Sequence, residues 1–389
     1  MIKSIIKPRT PLAWRQLIKA KGRFVVALSG IAFADLLMLM QIGFQSALLD
    51  SNTRLPTLLK TDLVMLSSQA QNIALANSFS RRRLFQAANL PEVESVSPLY
   101  IRLGNWKNPQ TKLESSILVI GFNPASSAFN LLEVKQNLDL IRYPDTLLFD
   151  RSSRGKYQEV VAQIAGGKPV TTELQGRRIT ISGLYKIGSS FIADGSVMTS
   201  DQNFLRIFSG VQVGQVSIGL ITLKPGSNAN VAATKLNSLL PNDVKVFTRE
   251  EYIAFEKNYW ERNTTIGFIF GLGVVMGFLV GIIIVYQILY SDVSDHLPEY
   301  ATLKAMGYSD IYLLNVVFTE AIILAILGYI PGFIISKFLY ELTRNATNLP
   351  LFMTLDKGLL VLTLTVIMCA ISGGIAMQKL RSADPADIF

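Results

Sequence analysis

The sequence predicts an α-helical membrane domain of four transmembrane helices, with a large α+β domain inserted between helices 1 and 2. Three observations carry this reading. Four mainly apolar stretches, 24–44, 266–289, 311–339 and 358–377, each reach the roughly 20 residues that cross a bilayer. About 210 polar and mixed residues separate the first two stretches, enough for a domain with its own core. The chain is 50% hydrophobic and 17% charged, with mean hydropathy +0.35, and the apolar residues are concentrated in those blocks.

Charge sets the expected orientation. Of the net +9, Lys3, Lys7, Arg9, Arg15, Lys19, Lys21 and Arg23 precede the first span with no acidic residue among them. Beside a span, such a cluster follows the positive-inside rule, so nucleic acid is not an expected partner. The N-terminus is then cytoplasmic. Four crossings return the C-terminus to the cytoplasm, where Lys379 and Arg381 agree. The inserted domain is expected to be periplasmic and residues 291–310 cytoplasmic, in a multi-pass protein of the plasma (inner) membrane.

Taken in order, residues 1–23 place Leu12, Trp14, Leu17 and Ile18 among basic residues, the pattern of an amphipathic helix lying on membrane lipids. Residues 24–46 form the first span. Its apolar run exceeds the 7–15 residues usual in a signal peptide, and Asp35, Gln41 and Gln45 would be foreign there, so a retained anchor is expected. Asp35 admits two readings: a polar contact or hydrated path with a transport role, or a protonated, hydrogen-bonded packing residue.

The inserted domain spans 47–263. Strand-like runs at 62–67, 93–103 and 116–122 flank a helical run at 80–88. A second β-α-β unit follows at 217–224, 228–239 and 244–247. These predict one split, membrane-proximal subdomain (about 51–128 and 209–263). Between its halves, runs at 170–174, 177–184 and 195–199 predict a β-rich distal subdomain (about 129–208). Arg81, Arg82 and Arg83 suit either an acidic lipid or protein contact or, more simply, a solvated helix face. Residues 248–263 predict a helix running unbroken into the second span, with Tyr259 and Trp260 at the interface.

The second span, 264–290, carries Gly267, Gly271, Gly273, Gly277 and Gly281, small-xxx-small series that suit intramolecular packing or a dimer seam equally. The third, 311–340, carries Glu320 roughly 13 Å in, and its Gly328, Pro331 and Gly332 predict a kink or break. A short periplasmic loop (341–357), a fourth span (358–378) and a cytoplasmic tail (379–389) complete the chain.

Between the second and third spans, 291–310 reads SDVSDHLPEYATLKAMGYSD. Leu297, Tyr300, Ala301, Leu303, Lys304 and Met306 have the spacing of a short amphipathic helix. Pro298 suits its first turn and Gly307 its end. A helix held at both ends by spans is placed to carry force from a soluble partner to the bilayer; an ordinary surface loop is the plainer alternative.

Several chemistries are disfavoured. Cys369 is the only cysteine and falls in the fourth span, so the inserted domain has no disulfide. His296 is the only histidine, which removes His-based metal sites and Ser-His catalysis. Gly166-Gly167-Lys168 is followed by Pro169 and has Ala162 upstream, failing the phosphate-loop pattern. A non-catalytic chain that binds no cofactor or metal of its own is expected.

Architecture and motif together resemble the FtsX/MacB-like permeases of ABC transporters. Glu299, Leu303, Lys304, Ala305, Met306 and Gly307 fit that family's inner-loop pattern E-x-x-x-L-[KR]-A-[ILM]-G. Glu320 matches a glutamate common early in the following span, and Ala383-Asp384-Pro385-Ala386 is similar to its terminal signature. GIAFADLLMLMQIGFQSALLDSNTRL (30–55), SRRRLFQA (80–87) and GNWKNP (104–109) resemble the DevC-type branch, the permeases of cyanobacterial DevBCA exporters. The resemblance implies a MacB-like fold in a homodimer. It implies a separate DevA-like ABC ATPase, which binds the ATP and magnesium and docks on His296, Leu297, Glu299, Tyr300, Leu303, Lys304, Met306 and Gly307. It also implies a DevB-like periplasmic adaptor, a TolC-like outer-membrane channel, and export by mechanotransmission of a lipid-like cargo such as heterocyst envelope glycolipid. An FtsX-like regulator of a periplasmic partner and a Lol-like lipoprotein-release subunit are the other readings.

Overall fold

A computed structural model describes residues 21–126 and 128–382. The helix expected over 1–23, except its last three residues, and the Ala383–Ala386 signature lie outside the described residues. The chain forms two compact units. One comprises 21–46, 268–342 and 351–382; the other comprises 47–267 and 343–350.

Helix α1 (Lys21–Leu58) has 38 residues, about 57 Å of helix against a hydrocarbon core of about 30 Å. It therefore holds the expected first span and continues past it, and its residues from Ala47 onward belong to the second unit.

That second unit contains β1 (Leu63–Ser67), β2 (Phe79–Ser80), α2 (Arg82–Ala88), β3 (Val93–Lys107), β4 (Glu114–Phe122), α3 (Leu132–Gln136) and β5 (Thr146–Asp150). It continues with α4 (Gln158–Ala165), β6 (Val170–Leu174), β7 (Arg177–Tyr185), β8 (Ser196–Ser200), α5 (Asp201–Ile207) and β9 (Gln215–Val216). Last come β10 (Ile218–Leu223), α6 (Ala229–Leu239), β11 (Val244–Thr248) and α7 (Arg249–Asn258).

The two β-α-β halves interleave in the sheet order β11-β1-β10-β3, all antiparallel. β1 is buried at every residue because it packs on both faces. Leu63 and Met65 join one core; Val64 and Leu66 join the other, the period of two of a strand.

The β-rich portion is not a separate sheet, which corrects the expected division near residues 128 and 209. β3 extends to Lys107 and pairs with β4 over nine positions, Leu99↔Phe122 through Lys107↔Glu114. β4 then runs parallel to β8, and the order continues β8-β5-β7-β6. Backbone hydrogen bonding thus runs through all nine strands.

A second correction concerns 248–263. α7 opens on a capping box, with Thr248 Oγ1 accepting from Glu251 N and the Glu251 carboxylate accepting from Thr248 N. It then passes into a π-helical turn, Tyr259–Asn263, and stops at Thr264, whose backbone is extended (φ −111°, ψ 143°). Thr264 Oγ1 donates to Trp260 O (2.8 Å) and accepts from Gly267 N (3.4 Å), so the threonine caps both helix ends. The expected rigid rod is interrupted there.

In the first unit α1 is joined by α8 (Thr265–Asp295), α9 (Leu297–Ala305), α10 (Asp310–Thr347) and α11 (Leu355–Ser382). Among the described residues, α1, α8, Ile311–Thr347 of α10 and Leu355–Gln378 of α11 are long and apolar enough to cross a membrane. α10 runs through Pro331 without a break. The neighbouring glycines serve close approach instead: a Cβ on Gly328 would lie 2.7 Å from Ile31, and one on Gly332 would lie 2.9 Å from the Ala32 carbonyl.

Candidate functional site

The segment 291–310 folds as expected into a short helix between two long ones, and its ends are built by local chemistry. His296 N donates to Asp292 O (3.1 Å), and Tyr300 N to His296 O (3.0 Å). Pro298 occupies the first turn, where its missing N–H costs nothing. At the far end Gly307 adopts φ +93°. Its N–H bonds Lys304 O (3.0 Å), and Tyr308 N bonds Leu303 O (3.1 Å), a Schellman ending that requires the left-handed conformation glycine adopts freely.

The eight residues expected to meet a partner separate onto two faces. Tyr300 is 1% exposed and packs with Val293, Leu313, Val317 and Met377, with Leu297 and Leu303 partly buried against the same cluster. His296 is buried too, its Nδ1 lying 3.0 Å from Asp292 O. These four fasten α9 to α8, α10 and α11. Glu299, Met306 and Gly307 are exposed and Lys304 is half-buried. Met306 is an exposed apolar side chain, at 63% exposure.

Behind α9 lies a polar cluster that sequence reading found only in part. Glu320 is fully buried, with Asp292 beside it, and both line one small cavity with Arg23 and Leu324. Both Glu320 oxygens and Asp292 Oδ2 have no hydrogen-bond partner. Arg23 pairs with Asp295. The sequence places Arg23 in the basic flank of the first span and Asp292 in the 291–310 segment without showing that they meet; the four-residue step from Asp292 to His296 is the available signal.

Asp35 is separate from that cluster, 12 residues along α1 from Arg23, about 18 Å. It accepts a hydrogen bond from Thr365 of α11, a contact that both expected readings of Asp35 allow. Gln41 covers Gly273: a Cβ there would lie 2.4 Å from its Cδ. Tyr340 Oη donates to Leu39 O, tying α10 to α1.

The glycine series divides similarly. Gly277 faces Met38, and Gly281 faces Met368 and Ala34, so with Gly273 these positions pack α8 on α1 and α11. Gly267 lies against the carbonyls of Trp260 and Glu261, and Gly271 faces open space.

In the inserted domain, Glu256 on α7 is fully buried beside Tyr252, and that burial pushes its carboxyl up to about 8. Asp150, at the end of β5, is also raised by burial. This holds although Ile187 N (3.1 Å), Gly188 N (2.6 Å) and Ser152 N (3.0 Å) donate to its carboxylate. Two of the Arg81–Arg83 triplet are engaged within the domain, Arg83 pairing with Asp243 (3.0 Å) and Arg81 lying over the Phe85 ring, while Arg82 is exposed.

Residues 266–385 match the family described as FtsX-like permease C-terminal, a segment running from α8 through α9 to the end of α11. No curated protein gives a match. Among solved structures, the chain is similar to the periplasmic region of MacB from Actinobacillus actinomycetemcomitans, at 12% identity and TM-score 0.35, covering 52% of this chain and 94% of that one. It is similar to the extracellular domain of the noncanonical ABC-type transporter YknZ from Gram-positive bacteria (16%, TM-score 0.32, 48% and 99%). It is also similar to a domain of a permease protein from Porphyromonas gingivalis (14%, TM-score 0.29, 48% and 86%).

Proposed function

We propose that this chain is the membrane-spanning, non-catalytic subunit of an ABC-type assembly, coupling ATP hydrolysis in a separate subunit to movement of the inserted domain. The observation that carries the reading is α9, fastened on one face by Tyr300 and presenting Glu299, Lys304 and Met306 on the other, within the segment that matches FtsX-like permeases. A force applied to the presented face reaches α8, α10 and α11 through the Tyr300 cluster. In this reading α9 and both termini are cytoplasmic and the inserted domain is periplasmic, in keeping with the basic residues that precede α1.

The finer reading is a DevC-type exporter permease. It would act as a homodimer with an adaptor and a TolC-like channel, moving a lipid-like cargo such as an envelope glycolipid. The segments at 30–55, 80–87 and 104–109 support it. Purification of the tagged chain in detergent tests the proposal. An ATPase subunit should co-purify, its hydrolysis should rise when an adaptor is added, and Glu299→Lys and Gly307→Val should each lower ATPase recovery about tenfold without changing the melting temperature of the inserted domain. An ATPase accompanied by a cell-wall hydrolase would shift the reading to an FtsX-like regulator. No ATPase at all, or full recovery with both variants, refutes α9 as the docking element.

A further inference from the structure

At the end of the inserted domain, just before the chain enters α8, lies an open cleft of about 620 Å³, within the range of about 300–1,000 Å³ common to small-molecule sites. One wall is a stripe of α7 and the π-helical turn that continues it: Phe255, Asn258, Tyr259, Arg262 and Asn263. Their steps of three and four residues are the spacing of one helix face, and single π-helical turns are frequent at functional sites. The opposite wall is the turn at 70–71, which contributes Gln71. The stripe is held from behind: Tyr252 and Glu256 are buried in the domain, and Phe255 stacks on Phe247 with ring centroids 5.4 Å apart.

The polar groups of the cleft are available. Among the described residues, neither the Arg262 guanidinium nor the side-chain amides of Gln71, Asn258 and Asn263 make a hydrogen bond or ion pair within the chain. The neighbouring charges, Lys257 and Glu261, face each other at 3.8 Å, and Arg262 is the one charged residue in the lining. A guanidinium grips a phosphate with two parallel donors, and carboxamides both donate to and accept from hydroxyl groups. The set therefore suits an anion that also carries hydroxyls.

Position selects among such anions. Arg262 is four residues from Ile266 in the first turn of α8, at most about 14 Å even along an extended chain. Phe268 and Ile269 follow, apolar and exposed. Where α8 crosses a bilayer, its first apolar turn meets the hydrocarbon boundary, beyond which head groups occupy roughly 5–8 Å. A long arginine side chain within that reach meets the head-group layer, and Tyr259 and Trp260 beside it are residue types enriched at that level.

We infer that the cleft binds the phosphate ester head of an anionic lipid in the leaflet on the side of the inserted domain. Arg262 takes the phosphate, and Gln71, Asn258 and Asn263 take the head-group hydroxyls. A water-soluble phosphate ester shares this chemistry; the adjoining apolar turn of α8 favours the lipid. The inference needs α8 to cross a bilayer and stands whatever subunit meets α9.

The test uses the full chain in phosphatidylcholine nanodiscs that contain a small, constant fraction of phosphatidylglycerol bearing a diazirine at the start of one acyl chain. Adducts mapped by mass spectrometry are expected on the peptides carrying 70–71 and 258–266. Replacing phosphatidylcholine by unlabelled phosphatidylglycerol should lower these adducts about fivefold and leave chance labelling of the apolar helices unchanged. Arg262→Gln should lower them about tenfold, and Arg262→Lys less, since lysine keeps the charge but loses the paired donors. Arg262 is exposed, so neither variant should melt differently from wild type. Competition by millimolar glycerol 3-phosphate as strong as by the lipid would assign the cleft to a free phosphate ester and overturn the lipid reading. Adducts that unlabelled phosphatidylglycerol does not displace, or that Arg262→Gln leaves unchanged, would show a groove filled by solvent and overturn the inference.

Discussion

The inserted domain should lose stability as pH rises, and Glu256 is the residue that makes it do so. Its carboxyl titrates near 8 in the fold against an ordinary 4.5, because burial disfavours the ionised form. Below about 4.5 the carboxyl is protonated in both folded and unfolded chains and has no pH effect. Above that value the unfolded chain releases the proton while the folded domain keeps it. Stability then falls by about 1.4 kcal/mol per pH unit until the folded carboxyl itself ionises near 8. From 4.5 to about 8 the loss amounts to roughly 4 to 5 kcal/mol. For a domain of this size it corresponds to a fall of roughly 10 °C or more in melting temperature. Glu256→Gln, which imitates the protonated carboxyl, removes this dependence. The assay is thermal unfolding of wild type and variant in detergent between pH 5 and 9. The melting temperatures should lie close together at pH 5 and separate progressively up to pH 8.5, with the variant higher. A difference between the two that does not change with pH would refute the reasoning, since other groups contribute equally to both proteins.

Two further predictions follow from backbone geometry. Gly332→Ala should destabilise the helical unit by about 1–3 kcal/mol, because the new Cβ would lie 2.9 Å from the Ala32 carbonyl, a backbone atom with little room to shift. Gly271→Ala, facing open space, should be neutral or stabilising by up to about 1 kcal/mol; detergent melting of the two variants checks the contrast. Asp150→Ala should leave the Ile187, Gly188 and Ser152 N–H groups without their acceptor, at about 1–3 kcal/mol for each that stays buried. It should also speed tryptic cleavage after exposed Lys186, read by limited proteolysis against wild type.

Much of the architecture was legible because it depends on local signals. Asn228 was placed at the start of a helix, and its side chain caps α6. Gly307 was expected to end α9, and it occupies the positive-φ position that few other residues adopt. The way the inserted domain's strands join is not legible, because a strand's run of apolar residues does not disclose its partners. Nothing in 93–107 announces that the second half of β3 leaves β10 and pairs with β4 and β6. The rod expected at 248–263 failed for a different reason: Thr264 is compatible with a helix by composition, and only its capping hydrogen bonds reveal the break.

By itself the sequence determined where the long apolar segments lie, that a large α+β domain is inserted between the first two, and that a short helix with a proline start and glycine end joins the second and third. These follow from hydropathy, periodicity and capping, which act within a few residues of each other. Tertiary structure alone decided which side of α9 is fastened and which is presented, that Glu320 lies beside Asp292 while Asp35 meets Thr365, and that Arg262 and Gln71 line one open cleft. Those outcomes depend on contacts between residues far apart in the chain, and burial, unlike helix propensity, is a property of the neighbours that folding brings together.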